Sequence, residues 1–222
     1  MPSVAVFDIN ETTLDLAPVR SAVNAVLDRS DGFGSWFGRL LQTSMAITAT
    51  GQFEDFSVLA RAALDSVAQS DRRPLPDGAW EQVGAAFGGL QPHADVLVGL
   101  EALSAQGWRL IALTNSAQSS VDAQLTSAGL HDRFERVLSV DSVRAFKPAT
   151  GPYRFALQEA GVSAEEAVMV AAHDWDLAGA KAAGMVTAFI ARPGMPFASV
   201  YPAADHRADD FVALAASLGT AG

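Results

Sequence analysis

The spacing of apolar residues changes twice along this chain, and those changes limit its fold more than any other feature. Residues 3–8 carry an unbroken apolar run, Val4-Ala5-Val6-Phe7, that ends in Asp8 and reads as a short buried strand. From about Ala17 to Gly89 the spacing becomes helical. Val19, Val23, Val26 and Leu27 make one stripe, and Trp36, Leu40, Leu41 and Met45 a second. Phe56, Leu59, Ala63, Leu64 and Val67 make a third. Breaks at Asp31-Gly32, Gly51 and Pro74–Gly78 separate them. Beyond Pro92 the two periods alternate. Helices are predicted at 94–106, 119–128, 150–160, 176–183 and 208–218, and strands at 108–115, 134–140, 166–172 and 186–191. Gly107, Gly129, Gly161 and Gly184 stand where helices stop.

Strands joined by helices imply an α/β fold with a parallel sheet covered on both faces. Such sheets bind ligands at the carboxyl ends of their strands. Asp8 follows the first strand, Thr114-Asn115-Ser116 the second, and His173-Asp174-Trp175-Asp176 the fourth, with Lys147 in the loop after the third. Residues 1–15 and 91–222 are expected to form the core domain. Residues 16–90 are expected to form an all-helical cap above that sheet edge.

Each loop has a plain structural reading beside a chemical one. Asp8 is a carboxylate nucleophile or a turn cap. Lys147, held extended or turning by Pro148, is a surface lysine or the cation that keeps Asp8 ionised. Thr114, Asn115 and Ser116 are a turn or a set of hydrogen-bond donors. Of Asp174 and Asp176, one suits the head of a helix, which leaves the other to face the site. His173 titrates near neutrality or is simply hydrogen bonded.

Composition removes several function classes. With 222 residues, half of them hydrophobic, the chain can bury a sizeable core. A net charge of −10 argues against nucleic acid and anionic membranes as partners. The absence of cysteine excludes disulfides, thiolate metal sites and a cysteine nucleophile. No basic segment precedes a long apolar run, so a cytoplasmic location is expected.

Four segments in order resemble the haloacid dehalogenase (HAD) superfamily of hydrolases. They are VAVFDINETTLD, LIALTNS, FKPATGPY and AVMVAAHDWDLAGAKAAG. The resemblance covers nearly the whole chain. It implies a Rossmann-like parallel-sheet core, a helical cap inserted after the first strand, and attack by Asp8. The superfamily's phosphatases carry a second Asp two residues after the nucleophile and an acid that holds Mg²⁺ in the fourth motif. Here those positions are Asn10 and Ala172. The resemblance therefore points to the 2-haloacid dehalogenases, which use no metal or other cofactor. In them a carboxylate displaces halide from carbon and water hydrolyses the resulting ester. By that resemblance Asp8 is nucleophile, Thr12 and Thr114 support its carboxylate, and Lys147 polarises it. Asn115 holds the leaving halide, and Asp176 activates water or orients Lys147. Tyr153 and Trp175 line the pocket, and Ile9, Asn10, Phe37 and His173 fall among its substrate-binding positions.

The chain departs from its relatives at several of these places. Asn10 and Glu11 stand where a tyrosine and a glycine are usual, and Ala172 and His173 where serine and asparagine are. Phe37 aligns with a cap arginine that assists substrate binding and halide departure. Arg39 lies on another helix face, which leaves Arg61 or His93 to supply the charge. Two other readings remain: a Mg²⁺-dependent small-molecule phosphatase using Asp174 and Asp176, and a non-catalytic binding protein that keeps the pocket. The expected partner is a small molecule, a short carboxylic acid. A homodimer through apolar cap residues such as Trp36, Phe37 and Phe53 stands against their burial in the core.

Overall fold

The computed structural model describes residues 3–221. Its centre is a six-stranded sheet of β1 (Val4–Phe7), β4 (Arg109–Thr114), β5 (Arg136–Ser139), β6 (Ala167–Ala171), β7 (Val186–Ile190) and β8 (His206–Ala208). The spatial order is β5-β4-β1-β6-β7-β8, and every neighbouring pair is parallel. Side chains alternate between the faces, as the two-residue period of a strand requires. Ala5 and Phe7 point into one core with Leu110, Ala112, Val168 and Val170. Val4 and Val6 point into the other with Ile111, Leu113 and Met169. The first face is covered by α5 (Val96–Ala105), α6 (Gln118–Ser127) and α9 (Phe211–Leu218), the second by α7 (Thr150–Ala160) and α8 (Asp174–Ala182). Burial on both faces explains why the central strands are unbroken apolar runs.

Four helices fill the stretch after the first strand: α1 (Ala17–Leu27), α2 (Gly32–Ala49), α3 (Phe56–Ser70) and α4 (Ala79–Phe87). Two short antiparallel strands, β2 (Leu14–Asp15) and β3 (Gln91–Pro92), pair where this segment leaves and rejoins the sheet. Trp36 is buried, and its indole N–H donates to the Ala60 carbonyl at 2.8 Å, tying α2 to α3. Phe53 stacks on Phe146 and Phe56 packs tilted against it, with ring centroids 4.9 and 5.5 Å away. The Phe146 N–H donates to Thr48 Oγ1 at 3.1 Å. The helical segment thus rests on the loop that carries Lys147. Trp36 is buried by these contacts, and Phe53 is half-buried against Phe146.

The elements differ from expectation mainly at one edge. The terminal helix starts at Phe211, because the Asp210 carboxylate accepts the Ala213 N–H at 2.7 Å and caps it there. The residues before it form β8, a three-residue edge strand too short to show a period. Helix α8 begins two residues early, at Asp174.

Candidate active site

Strand order decides what meets Asp8. It leaves the end of β1, between β4 and β6, and its N–H still pairs with the Val170 carbonyl at 3.0 Å. Thr114 and Asn115 arrive from one side, and Ala172 and His173 from the other. Lys147 returns from the loop between β5 and α7. All four loops named from the sequence therefore converge on one carboxylate.

Lys147 is 1% exposed, and all three of its N–H donors are used. Its Nζ lies 2.8 Å from Asp8 Oδ1, 2.6 Å from Asp176 Oδ2 and 3.1 Å from the Leu113 carbonyl. The second oxygen, Asp8 Oδ2, accepts from Thr12 Oγ1 at 2.7 Å and lies 3.3 Å from His173 Nδ1. Thr12 is itself fixed by the Ala172 N–H, which donates to its hydroxyl at 2.9 Å. Burial alone would raise the Asp8 carboxyl. The Lys147 charge and the His173 hydrogen bond overcome it and hold Asp8 far below the ordinary aspartate range. Lys147 shows the reverse balance: burial would lower it, and Asp176 and Asp8 raise it.

Asp176 has no solvent exposure and both its oxygens are engaged. Oδ2 takes Lys147, and Oδ1 accepts the Tyr153 hydroxyl at 2.6 Å. Of its two expected roles, this geometry fits orienting Lys147, because Asp176 is fully buried and does not line the space at Asp8. Tyr153, expected to line the pocket, is instead wholly buried beneath it as Asp176's donor. Gly179 permits that packing. A Cβ there would lie 2.5 Å from the Pro148 carbonyl and 2.6 Å from the Tyr153 hydroxyl.

Other expectations shift in detail. The Ile9 side chain lies in the hydrophobic core and lines neither space at the site. Thr114 lines the cavity at Asp8, but its hydroxyl accepts the Ser116 N–H at 3.1 Å rather than supporting the carboxylate. Asn115 Oδ1 accepts the Lys147 N–H at 2.9 Å, which fixes the direction of its amide. Asn10 Nδ2 donates to Ser116 Oγ at 3.1 Å, while its Oδ1 is buried without a partner among the described residues. Asp174 does not face the site: its Oδ2 accepts the Ala198 N–H at 2.9 Å. With Asp174 turned away and Asp176 sealed, the pair proposed for Mg²⁺ does not converge.

A small space adjoins Asp8, and a larger one shares part of its lining. The nearer, about 20 Å³, is walled by Asp8, Asn10, Phe37, Asn115, Lys147, His173 and Trp175, among others. The larger, about 200 Å³, shares Asn10, Phe37 and Phe56 with it and adds Trp36, Leu40, Trp80 and Phe87. Phe37 borders both spaces, its ring 6.0 Å from that of His173. No arginine among the described residues lines either space. Arg39 is exposed and bonded to Gln42, and Arg61 is exposed. His93 sits in a separate cleft with Arg20 and Arg192.

Glu11, marked in the sequence only as a departure, has a place in the site. Its Oε2 lies 3.1 Å from His173 Nε2, and its Oε1 accepts from Arg20 Nη2 at 2.9 Å. Its backbone is left-handed, with φ 64°, a conformation that costs a non-glycine residue roughly 1–2 kcal/mol. Burial would lower His173, but the hydrogen bonds its ring donates to Asp8 and Glu11 raise it to about 9. The available signal was the co-occurrence of two departures, Glu11 and His173, which the fold places in contact.

Together, the fold and the site define an α/β hydrolytic enzyme built around one buried carboxylate. A family model for haloacid dehalogenase-like hydrolases matches residues 2–184, and the chain belongs to that family. It is 29% identical over 196 residues to haloacetate dehalogenase H-2 of Moraxella sp. (strain B), covering 86% of each chain. It is 30% identical over 203 residues to (S)-2-haloacid dehalogenase 4A of Burkholderia cepacia, covering 86% of this chain and 84% of that one. A solved L-2-haloacid dehalogenase superposes with a TM-score of 0.90 at 25% identity, over 98% of both chains.

Proposed function

We propose that this protein hydrolyses the carbon–halogen bond of a small 2-halogenated organic acid without metal, through an ester on Asp8. The observation that carries this reading is the state of Asp8. It is a buried carboxylate kept ionised by Lys147, and it faces a cavity. An anionic oxygen so placed is a nucleophile and has no proton to give. It attacks the halogen-bearing carbon, and a C–O bond forms as the carbon–halogen bond breaks. Halide leaves with the electron pair. Asn115, its Oδ1 held by Lys147 N–H, keeps its NH₂ for the departing halide. Water then cleaves the ester.

The space beside Asp8 holds about one water. The bulk of a substrate therefore belongs in the larger cavity, against Phe37, Trp36 and Phe56. Lys147 and His173 are the basic residues lining the space at Asp8, and they supply positive potential there in place of a cap arginine. Residues 16–90 act as the cap and residues 1–15 and 91–222 as the core. The names of the relatives, which specify haloacetate and (S)-2-haloacids, support an acid substrate.

The test is halide release from a panel of short 2-halocarboxylates with EDTA present and Asp8→Asn as control. Release by the wild type alone supports the reading. Release by both proteins, or dependence on added Mg²⁺, contradicts it. Tight binding without turnover would leave a pocket that only binds.

A further inference from the structure

We propose that His173 is the base that activates the ester-cleaving water, with Glu11 as the positioning residue that orients it. The inference rests on the dehalogenase reading above and assigns its second half-reaction to a Glu–His pair instead of Asp176.

Three observations carry it. First, the ring is bracketed by carboxylates on opposite nitrogens, with Nδ1 3.3 Å from Asp8 Oδ2 and Nε2 3.1 Å from Glu11 Oε2. A carboxylate on Nε2 keeps the proton there, so the neutral ring presents its lone pair from Nδ1 toward Asp8. Second, His173 lines the small space at Asp8, which has room for about one water, whereas Asp176 is absent from that lining and has both oxygens bonded. Third, Glu11 holds its position at a left-handed φ of 64°, where glycine would be unstrained, and Arg20 anchors its other oxygen at 2.9 Å. Strain of that kind persists where the surroundings enforce it, and it concentrates at functional sites.

The chemistry balances. In the free enzyme the imidazolium lies between Asp8 and Glu11, with Lys147 behind Asp8 and Arg20 behind Glu11. Alkylation turns the Asp8 carboxylate into a neutral ester, removing the negative charge that held the proton on Nδ1. That proton leaves as the halide leaves. Water then attacks Asp8 Cγ and gives a proton to Nδ1. The tetrahedral intermediate expels the substrate oxygen, which takes the proton from Nδ1 to become the alcohol. The remaining proton on the Asp8 carboxyl returns to His173. The sum is organic halide plus water to alcohol plus hydrogen halide.

The experiment uses 2-bromopropionate with wild type, His173→Gln and Glu11→Gln. Halide release, lactate formation and intact protein mass after rapid quenching are followed together. Loss of a general base typically slows a step by about 10²–10⁴-fold. His173→Gln is expected to release one halide per enzyme in a burst and then stall, carrying the mass of the 1-carboxyethyl ester on Asp8. Glu11→Gln is expected to accumulate the same ester with a smaller loss of kcat. A purely structural role would slow both half-reactions together and leave no adduct. Full turnover by His173→Gln, or a burst lost along with turnover, would overturn the proposal while leaving the dehalogenase reading intact. Absence of both halide and ester in the wild type would overturn that reading, and this inference with it.

Discussion

Removing one oxygen from Tyr153 tests the support beneath the nucleophile. Tyr153→Phe keeps the ring and deletes only the hydroxyl that donates to Asp176 Oδ1 at 2.6 Å. Burial, then the Asp176 charge, hold this phenol well above its ordinary pKa, so it remains a donor across the working pH range. Phenylalanine leaves a fully buried carboxylate oxygen without a partner. A hydrogen bond to a charged group is worth about 1.5–3 kcal/mol. For a chain of this size each kcal/mol moves Tm by about 2–4 °C, so a fall of about 3–12 °C is expected. Asp176 would then hold Lys147 less firmly. If about 1.4 kcal/mol of that loss reaches the transition state, kcat falls about tenfold. Urea unfolding measures the first effect and halide release from 2-bromopropionate the second. Unchanged stability, with a raised KM at constant kcat, would refute the reasoning, because that pattern belongs to a ring that touches substrate.

Three further outcomes follow from the same geometry. Lys147→Met leaves Asp8 and Asp176 buried without their cation, a loss of about 3–5 kcal/mol in similar pairs, and should abolish turnover with a large drop in Tm. Phe37→Arg places a cation against the Asp8 cavity and should raise kcat/KM for charged 2-halocarboxylates on the order of 10- to 100-fold, measured against a neutral 2-haloamide as control. His173, raised from 6.5 to about 9, contributes stability that is complete below pH 6.5 and is lost as pH rises through 9. Urea titrations between pH 6 and 10 should show a decline of up to roughly 3 kcal/mol that His173→Gln removes. Asp8, lowered instead, contributes stability that is lost only as pH falls below about 4.

Much of this was legible in the residues because burial on both sides of a parallel sheet writes plain apolar runs. β1, β4, β6 and β7 each stand within two residues of their expected ends. β8 was hidden because it is an edge strand of three residues, two of them His206 and Arg207. In the site, Asp8 and Lys147 could be named because strand ends and family spacing place them. Tyr153 was assigned to the pocket because spacing fixes a helix position without fixing which neighbour the side chain meets. Here α7 turns it toward α8. Glu11, noted only as a replaced glycine, has no role legible in the sequence for a different reason. An acid among small polar residues reads as solvated loop, and only its left-handed backbone and its contact with His173 separate it from one.

The central claim is that Asp8, and not water, forms the first bond to substrate carbon. A single turnover in H₂¹⁸O with enzyme in excess tests it most directly. The account predicts that the alcohol carries unlabelled oxygen donated by Asp8 and that the Asp8 peptide gains one ¹⁸O when water cleaves the ester at Cγ. Label appearing in the alcohol while Asp8 stays unlabelled would contradict it, because water would then have attacked the carbon itself.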